Sequence, residues 1–282
     1  MPLTSLVMLT RNGLDMTRRC VESIRRHTAE PLEWIVVDNG STDGTVEFWE
    51  SMAGVKLIAN EDNKGFAAGT NQGMMEAAGD YILLLNNDTL VTPNWLTGLF
   101  AALHRDPDIG MVGPVSNHVA PIQRIPPSEW PLPDHLDAFA QKRQQELAGT
   151  GFYAHKLIGF CMLFHRSLLE RIGGFDERFF PGNYEDDDFS IRTRISGKRL
   201  WVAQDVFIHH EGQGTFASNR IDYKRSSLAN AEKFRAKWST GLSACEMDLR
   251  GYNPSDIVNR EPFFIPDRHF IPLQRHPVSI GK

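Results

Sequence analysis

An α/β fold with a mostly parallel central sheet flanked by helices is what this sequence predicts, and two observations carry the prediction. Short apolar runs alternate with stretches of helical period through the first hundred residues, and each run ends in polar, turn-forming residues. Strand–helix repeats of that length imply right-handed crossovers and parallel strands covered on both faces. In such sheets ligands sit outside the carboxyl ends of the strands, so the polar ends predict a binding edge.

"SLVMLT" is a short buried strand ending at Thr10 to Asn12; the helix after it puts Leu14, Thr17, Val21 and Ile24 on one face. "LEWIVVDNGS" is the second strand, ending at Asp38 to Ser41. Thr42 or Asp43 suits the N-cap of a helix that carries Val46 and Trp49 inward. "VKLIAN" is the third strand, ending at Asn60 to Asn63, and the small-residue stretch "GFAAGTNQGMMEAA" is the third helix. "YILLL" is the fourth strand. It is apolar enough to need burial on both faces, yet it runs straight into Asn86, Asn87 and Asp88. Thr92 and Pro93 supply a cap and first-turn proline for a helix burying Leu96, Leu99, Phe100 and Leu103.

After about residue 115 the alternation loosens. "SNHVAPIQRIPPSEWPLPD" reads as a mobile proline-rich loop, followed by a helix at 134 to 148. "KLIGFCMLFHR" restores a buried strand, with a short helix ended by Gly173 and Gly174. A helix follows the acidic run in "GNYEDDDFSIR" and stops near Gly197; "RLWVAQDVFIHH" supplies strand material and a helix covers roughly 222 to 238. The tail from Gly251 is proline-rich and extended.

At 282 residues the chain can bury a large core, and 41% hydrophobic with 23% charged residues is ordinary for a soluble globular protein. A net charge of -5 gives no sign of a nucleic-acid surface. Cys20, Cys161 and Cys245 are scattered and form no CxxC pair, which argues against a disulfide framework and suits a reducing cytoplasm. "MPLTSLVMLT" reads as a first strand rather than a signal peptide, and no apolar run approaches the roughly 18 residues of a membrane span.

The motifs are individually weak. Gly65, Gly69 and Gly73 have the wrong spacing for a dinucleotide fingerprint and follow the third strand, so close helix packing explains them better. "NNDT" alone is a turn, but at a binding edge Asp88 could supply a carboxylate to magnesium or manganese. The run Glu185 to Asp188 could cap a helix, although four adjacent acids exceed what capping needs. Either of His209 and His210 could be a metal ligand, the other a strand-end histidine.

Taken in order, the opening strand, "VVDNGSTDGT", "NEDNKGFAAGTNQG", "LLLNNDT", "GNYEDDDFSIR" and "HHEGQGTF" resemble family 2 glycosyltransferases over roughly residues 3 to 240. The resemblance implies the GT-A fold (nucleotide-diphospho-sugar transferase-like) and a domain over 1–240. A nucleotide-binding half runs to about 115, an acceptor-side half from 116, and a C-terminal extension covers 241–282. It implies that Asp38 holds the nucleotide base with Thr10 and Asn12 nearby, and that Asn63, Gly65, Asn71 and Asn87 also meet the nucleotide sugar. The DxD motif, which holds a divalent cation on the diphosphate, reads Asn86-Asn87-Asp88, leaving Asp88 to carry the charge. The acidic motif matches Glu185-Asp186, with Asp186 as catalytic base and Asp188 beside them; His210, then His209, matches the histidine that meets metal or phosphate. The implied activity is inverting transfer from a nucleotide sugar, UDP-linked for preference, with Mn2+ or Mg2+ as cofactor.

The acceptor, whether glycan, lipid, protein or small molecule, is expected at the loop Ser116 to Pro133, with Trp130 as a stacking platform. Peripheral membrane association and a homodimer are compatible with this reading. The rivals are a non-catalytic nucleotide-sugar or glycan-binding module, against which Asp88 and Asp186 argue, and a sugar nucleotidyltransferase. The latter needs a glycine-rich basic signature that "TRNGLD" lacks.

Overall fold

The computed structural model describes residues 2–212, 223–238 and 263–274. The first half follows the expected alternation: β1 (Thr4–Thr10), α1 (Leu14–His27), β2 (Leu32–Asn39), α2 (Thr45–Glu50), β3 (Val55–Asn60), α3 (Gly65–Glu76) and β4 (Tyr81–Leu85). These four strands are parallel. Then come β5 (Thr89–Leu90), α4 (Trp95–His104), β6 (Ile109–Val115), α5 (Leu136–Leu147), β7 (Gly151–Ala154) and β8 (Cys161–His165). α6 (Ser167–Ile172), α7 (Glu185–Ile195), β9 (Arg199–Phe207), β10 (His209–His210) and a helix over Tyr223–Trp238 follow.

Eight strands form one sheet in the order β3-β2-β1-β4-β8-β6-β9-β7, and β5 pairs with β10 in a separate small ladder. β8 runs antiparallel to both neighbours, β4 and β6, and β7 antiparallel to β9; the remaining strands share one direction. The sheet is therefore mostly parallel with one reversed strand at its centre and another at its edge.

Side-chain alternation explains why "YILLL" is apolar throughout. Leu83 and Leu85 enter the core layer built with α1 and α4, whereas Ile82 and Leu84 enter the layer on the opposite face. A third cluster joins Ile191 and Ile195 of α7 to Ala231, Phe234 and Trp238 of the last long helix. The glycines of α3 are packing devices. A Cβ on Gly73 would meet Val7 Cγ1 at 2.5 Å and one on Gly69 would overlap Leu9, so the helix lies against β1 at a distance only glycine allows.

Several expectations shift. α2 starts at Thr45 because Gly44 turns with φ 91°, and Asp43, one residue further out, accepts the Thr45 amide at 3.2 Å. α4 starts at Trp95 because Asn94 is left-handed at φ 59°. The stretch read as mobile is folded. Three single 3-10 turns (Pro121–Gln123, Pro127–Glu129, Pro133–His135) and a bridge between Ser116 and Arg124 shape it. β6 went unforeseen because Gly110, Gly113 and Pro114 break its apolar run, and β7 because four residues carry too little pattern. No helix among the described residues is long and apolar enough to cross a membrane. Cys245 and most of the 241–282 extension lie outside the described residues.

Candidate active site

A cavity of about 670 Å³ opens at the carboxyl ends of the parallel strands and is the place where the sequence motifs meet. β1 contributes Leu9 and Thr10, β2 Asn39, and the turn after β4 Asn86, Asn87 and Asp88. The turn before α7 and its first residues contribute Gly182, Asn183, Glu185 and Asp186, and β10 contributes His210.

On one wall Asp88 and His210 form a pair, Oδ1 to Nε2 at 3.1 Å, with Asp88 only 3% exposed. They meet because β10 pairs with β5, which places His210 opposite Thr89. His210 Nδ1 donates to the His118 carbonyl at 2.6 Å, which turns Nε2 toward Asp88. The backbone N–H of His210 donates to Asn117 Oδ1 at 2.8 Å, and Phe160 stacks on the imidazole with ring centroids 5.3 Å apart. Burial works against charging His210, but the hydrogen bond and charge of Asp88 outweigh it and raise the imidazole above its ordinary value.

The donor set fits a small divalent cation. Asp88 and His210 present a carboxylate oxygen and an imidazole nitrogen at the cavity wall, and a cation would replace the proton they share. Among the described residues no cluster of three or more His, Cys, Asp and Glu could hold a metal alone. Such ions commonly take few protein ligands and complete their shell with phosphate oxygens and water.

Asp186 lines the same cavity and is partly open to it. Its Oδ2 accepts the Gly159 N–H at 3.0 Å and its Oδ1 the Asp187 N–H at 2.9 Å. Close packing raises its carboxyl to about 6, and the charge of Asp187 adds to the rise while Lys156 opposes it. Glu185 is buried, and its Oε2 has no hydrogen-bond partner. Burial, then the Asp186 charge, pushes its carboxyl well above the usual range.

The structure disperses the rest of the predicted set. Asp188 does not reach the cavity. It is fully buried, bonded to Arg192 Nε at 2.8 Å, Lys237 Nζ at 2.5 Å and Trp238 Nε1 at 3.0 Å. Asp187 pairs with Lys156 at 2.8 Å. Asn71 is buried in α3 and ties Phe175, from which it accepts N–H at 2.8 Å and to whose carbonyl it donates at 2.9 Å. His209, on a two-residue strand, points away from Asp88, and burial lowers its imidazole. Asp38 is sealed beneath the cavity, accepting from Thr10 Oγ1 at 2.8 Å, Ser41 Oγ at 2.6 Å and Ser41 N at 2.7 Å. Asn12 Oδ1 accepts from Thr42 N–H, steadying the loop beside it. Asn63 and Asn87 line the cavity. Gly65, at φ 84°, lies behind it, where a Cβ would strike the Phe180 ring.

Sequence reasoning missed Gly159, Phe160, Asn117 and His118. Each acts on Asp186 or His210 through a contact between residues far apart in the chain, which leaves no local pattern.

Residues 5–173 match the model of the family described as Glycosyl transferase family 2. The chain is 29% identical over 239 residues to the N-acetylglucosaminyl-diphospho-decaprenol L-rhamnosyltransferase of Mycobacterium tuberculosis, covering 74% of this chain and 76% of that protein. It is 23% identical to an uncharacterized protein of Sinorhizobium fredii, spanning 94% of this chain but 30% of that protein's length. Among solved structures, a mannosyltransferase from Pyrobaculum calidifontis in complex with GDP-Man and Mn2+ superposes with a TM-score of 0.59 at 22% identity. The superposition covers 82% of this chain and 64% of that one and shows a shared fold.

Proposed function

The chain belongs to glycosyl transferase family 2, and from that premise we propose that it transfers a sugar, with inversion, from a nucleoside-diphosphate donor to an acceptor hydroxyl. UDP is the nucleotide we favour. The observation that carries the proposal is the meeting of two functions in one cavity: the Asp88–His210 pair and Asp186 all line it.

The chemistry needs both. The acceptor oxygen attacks the anomeric carbon, its bond to the diphosphate oxygen breaks, and that electron pair leaves with the nucleoside diphosphate. The acceptor proton passes to the Asp186 carboxylate, which is ionised above about pH 6. One displacement at one carbon inverts its configuration. Asp88 and His210 would hold Mn2+ or Mg2+, which supplies Lewis-acid stabilisation of the departing diphosphate. Glu185 lies beside Asp186 in the cavity lining, its carboxyl pushed up by burial and then by the Asp186 charge. Thr10, Asn63 and Asn87 line the donor side, and Asp38 fixes the β1 and β2 ends beneath it.

The acceptor side is the loop Ser116 to Pro133. Trp130 lines the cavity at 36% exposure, its Nε1 donating to the Ile125 carbonyl at 3.2 Å and its ring set edge-on to His118. An indole held this way is a platform for a sugar ring.

A panel of UDP-, dTDP- and GDP-sugars, scored for Mn2+-dependent hydrolysis and transfer, tests the reading. Turnover of one of them, lost in Asp88→Ala and weakened less by His210→Ala, is the expected result. Full activity in excess chelator would remove the metal from the site, and binding without turnover across the panel would leave a non-catalytic module.

A further inference from the structure

The catalytic carboxylates stand on an unusual turn. Asn183 and Tyr184, the two residues before α7, are both left-handed, at φ 78° and 73°, a conformation that side-chain-bearing residues rarely adopt and that surrounding structure must enforce. The turn itself lines the cavity through Gly182 and Asn183. What enforces it comes from the helix Tyr223–Trp238, beyond the stretch matched by the family. Asn230 is fully buried, and its Nδ2 donates to the Gly182 carbonyl at 2.8 Å and the Asn183 carbonyl at 3.3 Å. Its amide cannot be reversed. Lys233 Nζ donates to Asn230 Oδ1 at 2.9 Å and to the Arg178 carbonyl at 2.7 Å, so the nitrogen must face the turn. The same helix packs Phe234 on the Tyr184 ring and grips Asp188, two residues past Asp186, through Lys237 and Trp238.

We propose that Asn230 is a positioning residue for sugar transfer: by holding both carbonyls of the Gly182–Asn183 turn it fixes where Glu185 and Asp186 enter the cavity. The proposal rests on Asp186 acting as the base. A general base must lie within hydrogen-bond reach of its proton, and small misplacements are costly, so a residue that only sets the turn acts on the rate of the chemical step. Releasing the turn also lets Asp186 move toward water, away from Gly159, from Asp187 and Glu185 on its own helix, and from Lys156 on the adjoining loop.

The test is turnover of the active nucleotide sugar in Mn2+, followed against pH, for the full chain carrying Asn230→Ala or Lys233→Met. Asn230→Ala should lower kcat about tenfold to a hundredfold with donor KM unchanged. The acid limb of its pH profile should move to lower pH as the carboxyl regains solvent. Lys233 is exposed, so Lys233→Met keeps the fold and should move both readouts in the same direction by less. Activity lost only in proportion to folded protein, with the acid limb in place, would make Asn230 a packing residue and overturn the proposal. Unchanged kcat in the folded variants would do the same. Asp186→Asn, run alongside, separates the two readings. If it retains wild-type turnover the base assignment itself has failed; if it is inactive while the Asn230 and Lys233 variants behave as wild type, only the positioning role has.

Discussion

Asp186 and Asp187 are neighbours in sequence with opposite surroundings, and the contrast shows what one residue of helix rotation does. Successive side chains on a helix are turned by about 100°, so the run Glu185 to Asp188 fans around α7. Glu185 and Asp186 face the cavity, Asp187 meets Lys156, and Asp188 is locked to Arg192 one turn along. Sequence shows the acidic run but not its phase, so it cannot separate Asp188, bonded to Arg192 and Trp238, from the two residues at the cavity. For the same reason the adjacent histidines could not be separated until pairing with β5 set their faces. Asp186→Asn, which keeps the shape and removes the proposed base, should cut kcat by about 10²–10⁴-fold with donor affinity nearly intact. The proposed base, Asp186, works ionised and its carboxyl is raised to about 6, so wild-type kcat should fall as pH drops through that value. Asp187→Asn removes a charge that raises Asp186. Turnover near pH 7.5 should change little, while the acid limb moves to lower pH. A larger loss at Asp187 than at Asp186 in steady-state kinetics would move the base along the run.

Elements with a strong period were legible and elements with a broken one were not. β4 could be read because five consecutive apolar residues leave no polar face, and both core layers take a share of it. β6 hid behind two glycines and a proline, one of which, Gly113, sits against the Cys161 carbonyl and the Gln123 amide. The glycines of α3 were legible as packing because their spacing fits no phosphate loop, and the contacts with Val7 and Leu9 give the physical cause. That close approach makes a prediction specific to this helix. Gly73→Ala gains helix propensity of about 1 kcal/mol in an open setting, but here its methyl overlaps Val7 Cγ1 at 2.5 Å and lies near Val37. Forcing a methyl into a packed core typically costs about 1–3 kcal/mol, so the net change should be destabilising. Chemical denaturation of Gly73→Ala and of Gly54→Ala tells the two effects apart. Gly54 has open space around it but a left-handed φ of 82°, so its loss would come from backbone strain alone and needs no change in packing. An unchanged midpoint for Gly73→Ala would mean that α3 can shift off β1 freely.

At the scale of the whole molecule, the alternation in the first hundred residues foretold parallel strands and a binding edge, but nothing in it announced the reversal at β8. A strand's direction is set by how its connections cross the sheet, and a buried apolar run looks the same either way. The arrangement that results has a consequence for the matched segment, residues 5–173. β9 lies beyond it in sequence but between β6 and β7 in the sheet. It places Trp201 and Val206 in one core layer and Leu200, Val202 and Phe207 in the other, and α7 adds Phe189 to the second. A chain stopped at residue 173 would leave β7 with no partner strand and β6 with one open edge, and would expose several large side chains worth about 1.5–3 kcal/mol of burial each. That sum exceeds half of the roughly 5–15 kcal/mol by which a domain is stable. The fragment 1–173 should therefore show no cooperative thermal transition and should bind a hydrophobic dye, whereas the full chain melts in one step. It should also fail to bind nucleotide, because His210 is gone and the edge that carries Asp88 loses the β10 strand it pairs with. A cooperative melt for 1–173 would mean that the parallel half folds alone and that β9 is an addition to a finished sheet.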